Sequence, residues 1–353
     1  MLSFFPGPSK VYPDVQRYLT DAFAEGILSI PHRGAQFEAL SRKVSALVKR
    51  QLNVPEDYTV LFTSSATECF ELLEQSYAPH KSLHFFNGSF GEKWHTINQN
   101  LYPEATDVPF GLNEVPDAAK LPSAQGVDLV CLTHNETSNG TQLTPEFLLS
   151  VRSQYPKALL AIDATSSMGG LNLRINKADI WFASVQKCFG LPAGLGVMLC
   201  SPVAVARAKE LNIRKHYNSL AIMLERALNF QTYNTPNVLN IYLLSRVLEA
   251  NEQIRTIERS LVQRAKELYA HLQELPQVKL LVENQAVQSQ TVLALQAEER
   301  FINTLHQKAQ QNGLLLGKGY GKWAKNTFRI ANFPQHTDAD FDKLLGFLRT
   351  QCS

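Results

Sequence analysis

The sequence is poor in the residues that build metal sites and disulfide frameworks. Its five cysteines are odd in number and include no C-x-x-C pair, and its nine histidines form neither an H-E-x-x-H motif nor a cluster with cysteine. This pattern predicts no metal site and favours a reducing compartment such as the cytoplasm.

Long apolar runs are missing as well. No uninterrupted apolar stretch approaches the roughly 20 residues that a membrane-spanning helix needs. The N-terminal stretch MLSFFPGPSKVYPDV is broken by prolines and lacks the charged and apolar regions of a signal peptide. We therefore expect a soluble, cytoplasmic protein with no membrane partner.

Charge of one sign is not in excess. With 34 basic and 32 acidic residues, the formal net charge is only +2. A balanced charge gives no reason to expect a nucleic acid or an anionic membrane as partner. The expected partner is a small-molecule substrate.

Short apolar runs recur between amphipathic stretches. They cover residues 58–62, 82–86, 127–132, 158–163, 179–184 and 195–200. Helical periodicity is present in residues 13–27, 37–52 and 67–77, and Ser64 or Ser65 can cap the last of these. Near-continuous apolar strands separated by helices predict an α/β domain with a mostly parallel sheet covered on both faces.

The length of 353 residues favours one large domain and one smaller one. We predict a large domain over residues 16–245 and a small α+β domain over 246–353, joined by the N-terminal segment 1–15. The C-terminal part contains a long amphipathic helix in 234–275, strands in 278–282, 291–296 and 326–332, and helices in 300–312 and 338–350.

Three features at strand ends carry candidate chemistry. Asp163 ends the run 158–163, and Lys187 follows the run 179–184 in a loop of small residues. Ligands bind at the carboxyl ends of strands in open α/β sheets, so both side chains are expected at one edge of the sheet. The run 58–62 leads through TSSATE into a helix, where backbone amides and hydroxyls can hold a phosphate. Taken alone, Asp163 is more readily a helix cap or loop acid.

Together these features match pyridoxal 5'-phosphate. This cofactor has a phosphate, a ring nitrogen that pairs with a carboxylate, and an aldehyde that forms an imine with a lysine. A lysine used in this way also explains why a costly ammonium follows a strand that is expected to be buried.

The sequence also resembles a known family along nearly its whole length. The similarity is carried by FFPGPSKVYPDVQRYL, SIPHRGAQFEALSRKV, HNETSNGTQL, AIDATSSMGG, FASVQKCFGLPAGLGVML, TYNTPNVLNIYLLSRVL and FRIANFPQHTDADFDKLL. These stretches resemble the class V, fold-type I pyridoxal-phosphate enzymes, and most of all the phosphoserine aminotransferases. The resemblance implies an obligate homodimer whose active sites are shared between subunits.

The resemblance implies roles for individual residues. Lys187 would be the catalytic Schiff-base lysine, and Asp163 the catalytic partner of the pyridine nitrogen. The other implied cofactor contacts are Ala66, Thr67 and Gln186 at the phosphate, Phe90 on the ring face, Thr137 at the phenolic oxygen, and Asn234 and Thr235 at the phosphate from the neighbouring subunit.

The implied substrate-binding residues are His32, Arg33 and Arg329. Arg329 would clamp the substrate α-carboxylate with its two-pronged guanidinium. A surface salt bridge for Arg33 and a domain-packing role for Arg329 are the alternatives. The sequence NTP, which contains Asn234 and Thr235, is also a common turn sequence.

Three positions depart from the phosphoserine aminotransferase pattern. Phe90 stands where that family typically has a tryptophan over the cofactor ring, and Trp94 is a less suitable replacement one helical turn away. Thr67 stands where an arginine often binds the substrate phosphate, and Pro6 where a small residue is usual. The cofactor chemistry is therefore better supported than phosphoserine specificity.

The predicted activity is a ping-pong amino transfer between an amino acid and a 2-oxo acid. The family pattern implies O-phospho-L-serine and 2-oxoglutarate giving 3-phosphohydroxypyruvate and L-glutamate, a step of serine biosynthesis. The alternatives are a class V transaminase of alanine–glyoxylate or serine–pyruvate type, a desulfurase-like lyase, and a non-catalytic ligand sensor. The sequence offers no cysteine on a mobile loop for the lyase, and a sensor has no need of Lys187.

Overall fold

The computed structural model describes residues 1–77, 81–103 and 105–352. Its strands are β1 (Leu2–Phe4), β2 (Thr59–Thr63), β3 (Ser82–Phe86), β4 (Thr106–Pro109), β5 (Leu129–Thr133), β6 (Asn135–Glu136), β7 (Thr141–Gln142), β8 (Leu159–Asp163), β9 (Ile180–Ser184), β10 (Gly196–Cys200), β11 (Lys279–Leu280), β12 (Val292–Gln296), β13 (Leu314–Lys318) and β14 (Thr327–Ala331).

The α-helices follow the same chain order. They are α1 (Val15–Ala24), α2 (Ala35–Leu52), α3 (Ala66–Tyr77), α4 (Ser89–Leu101), α5 (Pro145–Gln154), α6 (Pro202–Leu211), α7 (Leu220–Ala227), α8 (Val238–Ala250), α9 (Ile254–Gln273), α10 (Glu299–Gln311) and α11 (Asp338–Gln351). None of the helices in the described part of the chain is both long and apolar enough to cross a bilayer.

A seven-stranded sheet has the order β2-β10-β9-β8-β5-β3-β4. The pairs from β9 through β4 are parallel, and β10 is antiparallel to both β9 and β2. The predicted apolar runs correspond to β2, β3, β5, β8, β9 and β10, so the mostly parallel α/β sheet is confirmed. The sequence of β4, TDVP, carries too little apolar character to be recognised as a strand.

Helices cover both faces of this large sheet. On one face α1, α2, α5 and α8 contribute to a core that includes Phe37, Val151 and Leu244. On the other face α3, α4, α6 and α7 surround Phe70 and Trp94. These layers bury the apolar strands on both sides, as the runs of uninterrupted apolar residues require.

The predicted helix over residues 13–27 is shorter in the structure. It begins at Val15 and ends at Ala24, and Gly26 lies just beyond it with a φ of +70°. A left-handed glycine after the last turn is a common way to end a helix, since it has no Cβ to oppose this conformation.

A second sheet has the order β1-β13-β14-β12-β11. It packs against α9, α10 and α11 around a core that includes Leu268, Leu305 and Leu344. Strand β1 pairs in parallel with β13, so the first residues of the chain join its C-terminal part. The sequence does not reveal β1, which has only three residues, or β13, which follows α10 almost directly.

The predicted long helix in residues 234–275 is two helices, α8 and α9. The backbone of Asn251 is extended, with a ψ of 150°, and the chain becomes helical again at Ile254. The predicted boundary between residues 245 and 246 falls inside α8, whose Leu244 and Val247 both belong to the large-sheet core. Helix α8 thus runs across the predicted boundary, and the division of the chain into two domains stays a prediction.

Candidate active site

A cavity of about 320 Å³ lies between the carboxyl edge of the large sheet and the loops of the small sheet. Pockets that hold small molecules have volumes of roughly 300–1,000 Å³. The predicted residues that line this cavity are Ala66, Thr67, Phe90, Thr137, Asp163, Gln186, Lys187 and Arg329. They come from distant parts of the chain and meet because most follow neighbouring strands.

Lys187 lies at the bottom of the cavity, in the loop after β9. Its Nζ donates hydrogen bonds to Thr137 Oγ1 at 2.6 Å and to Ser166 Oγ at 2.9 Å, and the residue is only 5% exposed. Burial lowers the pKa of Lys187 to about 8, although the nearby Asp163 carboxylate opposes this shift. A lysine with such a pKa has a substantial neutral fraction near physiological pH and can act as a nucleophile or base.

The N-terminal segment holds the lysine stem from the other side. Gly7 has a φ of +147°, and a Cβ at this position would lie 2.9 Å from Lys187 Cε. Ser9 N donates to Gln186 O at 3.0 Å, which ties this segment to the lysine loop. The glycine is therefore needed both for its backbone conformation and for the close approach to the lysine.

Asp163 ends β8 and is 4% exposed. Its Oδ1 accepts hydrogen bonds from Thr165 N at 2.9 Å and from Thr165 Oγ1 at 2.5 Å, whereas Oδ2 receives none from the described residues. Burial raises the pKa of Asp163, and the two bonds from Thr165 and the Lys187 charge oppose that shift. The unused oxygen belongs to a side chain that lines the cavity and is a suitable acceptor for a ligand N–H.

Two of the predicted phosphate contacts, Ala66 and Thr67, lie where α3 begins. Ser65 Oγ caps this helix by accepting from Glu68 N at 3.1 Å, as the sequence predicts. Thr67 is exposed in the first turn, and Ala66 N donates to Ser184 Oγ at 2.7 Å. The serine hydroxyl can accept this bond and still donate to an anion, so the turn remains compatible with a bound phosphate.

Two aromatic rings form one wall of the cavity. The Phe90 ring stacks on Tyr320 with a centroid distance of 5.1 Å and an interplanar angle of 16°. Lys187 Nζ lies 5.2 Å from the centre of the Phe90 ring. Trp94 instead is buried against Phe70 on the far side of α4. Of Phe90 and Trp94, only Phe90 lines the cavity and is available to a ligand.

Arg329 approaches from β14 of the small sheet and is 3% exposed. Its Nε donates to Lys318 O at 2.8 Å, and its Nη1 donates to Thr137 O at 2.7 Å. Nη2 makes no hydrogen bond to the described residues. Burial lowers the pKa of Arg329 to about 10, so the side chain is a cation at neutral pH and can bind a carboxylate.

The remaining predicted residues lie outside this cavity. They are His32, Arg33, Asn234 and Thr235. Arg33 is exposed, and its Nη2 donates to Tyr233 O at 3.4 Å, so residues 32–33 and 234–235 lie on one surface, which we call the outer cluster. The structure therefore does not bring all predicted residues together within one chain.

A cavity of about 250 Å³ borders the outer cluster. It lies between α2, β2 and the loop after α7, and its lining includes Thr232 and Tyr233. None of the predicted site residues lines it, and its walls are mainly apolar side chains such as Phe62, Met223 and Leu228. Lys49 lines it too, but its Nζ donates to Glu56 O, and no Asp or Glu is among the described lining residues.

Several polar residues around the cavity escape the sequence reasoning. Ser166 and Thr165 contact the predicted Lys187 and Asp163, Glu136 precedes Thr137, and Tyr320 contacts Phe90. Ser166 and Glu136 lie inside stretches that the resemblance already singles out, which is the only signal that points to them. Tyr320 has no comparable signal, because its role depends on a contact across the two sheets.

A separate buried polar cluster lies behind the large sheet. Ligand atoms of Glu74, His84 and Cys131 all lie within 4.8 Å of one another. Trp94 Nε1 donates to Glu74 Oε1 at 3.0 Å, and Asn98 Nδ2 lies 2.7 Å from His84 Nε2. These groups already take part in a hydrogen-bond network, and the expectation that the protein uses no metal stays a prediction.

The cavity residues fit pyridoxal 5'-phosphate. A lysine amine, a carboxylate oxygen that receives no hydrogen bond from the described residues, a helix N-terminus and an aromatic face all line one cavity of suitable size. These are the groups that bind the aldehyde, ring nitrogen, phosphate and ring face of this cofactor.

Comparison with known proteins gives a consistent picture. The family model described as "Aminotransferase class-V" matches residues 6–320. Phosphoserine aminotransferase from Rhodococcus opacus is 28% identical over 348 residues, covering 96% of this chain and 91% of that protein.

Solved structures extend the similarity to the fold. The crystal structure of a phosphoserine aminotransferase from Cytophaga hutchinsonii superposes with a TM-score of 0.93 at 32% identity, covering 100% of this chain and 99% of the other. An aspartate aminotransferase from Thermus thermophilus gives a TM-score of 0.86 at 21% identity, with coverages of 100% and 99%. The predicted fold, an α/β transferase with a mostly parallel central sheet, is confirmed.

Proposed function

The chain belongs to the class V aminotransferase family, and on this basis we propose that it transfers the amino group of O-phospho-L-serine to 2-oxoglutarate, using pyridoxal 5'-phosphate. The main observation is the buried Lys187 amine in one cavity with Asp163 and Arg329. A lysine amine, an acid for a ring nitrogen and a guanidinium for a carboxylate are the groups that amino transfer requires.

Each cavity residue has a definite part in this reaction. Pyridoxal 5'-phosphate, when bound, supplies an aldehyde that exchanges amines and a ring that accepts the electron pair from the substrate Cα. Lys187 Nζ would remove the proton from the substrate Cα, because its pKa of about 8 leaves part of the amine neutral. Asp163 Oδ2 would accept a hydrogen bond from the protonated ring nitrogen.

The other groups orient the substrate and the ring. Arg329 binds the substrate α-carboxylate through its guanidinium, which Thr137 O and Lys318 O hold in place. Phe90 would cover one face of the cofactor ring. Ala66, Thr67 and Gln186, which line the same cavity, would contact the phosphate.

The site is completed by a second copy of the chain in this proposal. The outer cluster, His32, Arg33, Asn234 and Thr235, would reach the partner's cavity, where Asn234 and Thr235 bind the phosphate and the basic residues bind the substrate anion. Exposed apolar side chains precede both parts of the cluster in sequence, with Leu28 52% exposed and Leu228 70% exposed. Such residues are expected where two subunits meet.

The phosphoserine assignment is supported by the relatives named above. A cytoplasmic location is also part of the proposal, because the five cysteines are all free thiols, as is usual in a reducing compartment.

A second candidate is a class V transaminase that acts on substrates without a phosphate, such as alanine or serine with glyoxylate or pyruvate. It is favoured by Thr67, which lines the cavity without bringing a positive charge.

A half-reaction screen tests the proposal. The cofactor-loaded protein is mixed separately with phosphoserine, glutamate, alanine and serine, and absorbance reports conversion of the aldehyde form to the amine form. We expect conversion by phosphoserine and glutamate, and none by loaded Lys187→Ala protein. Conversion by alanine or serine alone would support the second candidate, and no conversion by any amino acid would point to a sensor.

A further inference from the structure

Glu136 is a buried carboxylate with an unusual set of partners. It is 2% exposed, and its Oε2 accepts from Phe90 N at 3.2 Å and from Gly91 N at 3.1 Å. Its Oε1 accepts from Ser138 N at 3.0 Å and from Ser138 Oγ at 2.6 Å. Three backbone amides and one hydroxyl thus satisfy the carboxylate.

The two amides that Glu136 binds on α4 are those that an N-cap side chain normally serves. Helix α4 begins at Ser89 after Gly88, which has no side chain and makes no capping bond. In most helices the side chain of the N-cap residue accepts from the second or third helical amide. Glu136 performs this task from outside the helix, and its negative charge is favourable at the helix N-terminus.

The local sequence is adapted to this contact. A Cβ on Gly88 would lie 2.3 Å from Glu136 Cγ and 2.6 Å from Ser138 Oγ. Ser138 Oγ also accepts from Ser89 N at 3.0 Å, so it extends the same bridge. A side chain at position 88 would collide with the Glu136 side chain, which accepts the amide hydrogen bonds in place of an N-cap side chain.

The same short segment contacts the groups that line the cavity. Thr137 follows Glu136, and its Oγ1 accepts from Lys187 Nζ while its carbonyl accepts from Arg329 Nη1. Glu136 holds the helical turn that carries the Phe90 ring. Residues 136–138 therefore connect the aromatic wall, the amine and the guanidinium.

Charge adds to this connection. Burial lowers the pKa of Lys187 and of Arg329, and the Glu136 carboxylate opposes both shifts because it favours the protonated form of each group. Glu136 accepts hydrogen bonds from backbone amides and a serine hydroxyl. Its negative charge therefore acts on Lys187 and Arg329 through space, without a direct hydrogen bond to either.

We propose that Glu136 is a positioning residue, which caps α4 from the hairpin of β6 and β7. This contact holds the Phe90 ring against the cofactor ring, in the cavity that Lys187 and Arg329 also line. The proposal rests on the proposed function for its cofactor part. Its structural part, the capping of α4, stands independently of any cofactor.

The test compares two isosteric substitutions of buried carboxylates that both hold α4. Glu136→Gln removes the charge and turns an amide N–H toward the helix amides. Glu74→Gln is the matched control, because Glu74 accepts from Trp94 Nε1 on the same helix but does not line the cavity. Hydrogen exchange of the amides of residues 89–91 is measured first, in protein without cofactor.

We expect exchange at residues 89–91 to be about tenfold faster in Glu136→Gln, the factor that corresponds to losing one charge-assisted hydrogen bond. In loaded protein we expect altered visible circular dichroism of the cofactor and a KM for the amino acid raised about tenfold, with a smaller change in kcat. Glu74→Gln should leave these readouts near wild type, apart from any loss of global stability.

Equal exchange at 89–91 in wild type and Glu136→Gln would overturn the proposal, and so would equal effects of both substitutions. If Glu136→Gln does not fold, Glu136→Asp keeps the charge one methylene short of the helix and should show a smaller increase of the same exchange. If the loaded wild type neither shows the cofactor signal nor transaminates, the proposed function fails, while the exchange result still decides the capping of α4.

Discussion

The cavity around Lys187 and the outer cluster differ in almost every physical respect. The cavity side chains Lys187, Asp163 and Arg329 are each at most 5% exposed, and burial shifts the pKa of all three. Arg33, Asn234 and Thr235 in the outer cluster are exposed, and among the described residues Arg33 donates one hydrogen bond, to Tyr233 O at 3.4 Å. The family resemblance predicts both groups, and the strand-end pattern predicts only Lys187 and Asp163.

This difference shows that one chain brings the lysine amine and the acid together in a buried cavity, whereas the outer cluster lies on its surface. The lysine and the acid need a low-dielectric surrounding to shift their proton affinities, and only a packed interior supplies it. The outer residues would bind anions, a task that two surfaces can perform when they meet. One experiment can test whether the two groups meet in a shared site, and two others can test the buried groups alone.

The largest effect is expected from mixing subunits. Lys187→Ala alone should lower turnover by roughly a thousandfold or more, since both nucleophile and base are lost. Arg33→Glu should also be nearly inactive toward an anionic substrate. In a random mixture of the two chains, about a quarter of wild-type activity should return, because half the dimers are mixed and each has one intact site.

The measurement is steady-state turnover after co-refolding or co-expression of the two variants. A mixture of Lys187→Ala with Asp163→Asn serves as the control, because both residues belong to the cavity of one chain and cannot complement each other. Failure of the first mixture to exceed this control would mean that Arg33 does not serve the partner's site, whereas near-wild-type activity of Arg33→Glu alone would place it outside the site.

A smaller effect is expected from Asp163→Asn. The amide keeps the shape of the side chain but cannot hold a proton on the ring nitrogen, so turnover should fall by on the order of a hundredfold. Cofactor should still bind, because the α3 N-terminus and Lys187 are unchanged. Rapid-quench half-reactions measure the rate, and an unchanged rate would mean that another group protonates the ring.

An effect of similar free energy to that of Asp163→Asn concerns stability and pH in protein without cofactor. Burial lowers the pKa of Lys187 from 10.5 to about 8, so the unfolded chain binds more protons between these values. Stability should therefore rise as the pH increases from about 8 to 10.5, by on the order of 3 kcal/mol from this group. Below pH 8 the protonated lysine is destabilising in the folded state.

Urea unfolding at a series of pH values measures this effect. Lys187→Met is the matched control, because it keeps a long apolar stem and cannot titrate. The stabilities of the two proteins should diverge as the pH falls from about 10.5 to 8 and should differ by a constant amount at lower pH. Parallel profiles over the whole range would contradict the lowered pKa.

Much of the cavity is predictable because strand ends are visible in the sequence. Asp163 and Lys187 each follow an apolar run, and such runs form adjacent strands whose carboxyl ends meet. Arg329 is predictable only through the resemblance, since it lies on the other sheet. Tyr320 and Glu136 escape prediction because their partners, Phe90 and the start of α4, are far away in sequence.

The same reasoning explains the errors in the fold. β1 pairs with β13 across more than 300 residues, and a three-residue strand has no periodicity of its own. The break between α8 and α9 is also hidden, because residues 251–253 include no proline or glycine. Local pattern predicts an element well only where the element buries a whole face.

The sequence by itself determined six of the seven strands of the large sheet, the amine and acid at strand ends, and the resemblance to class V aminotransferases. Those properties depend on residue type and spacing, which are local. The tertiary structure alone decided that eight of the predicted residues share one cavity and four do not, that Glu136 caps a helix 45 residues away, and that the pKa of Lys187 falls to about 8. Burial, capping from a distance and electrostatic coupling arise only when remote segments pack together.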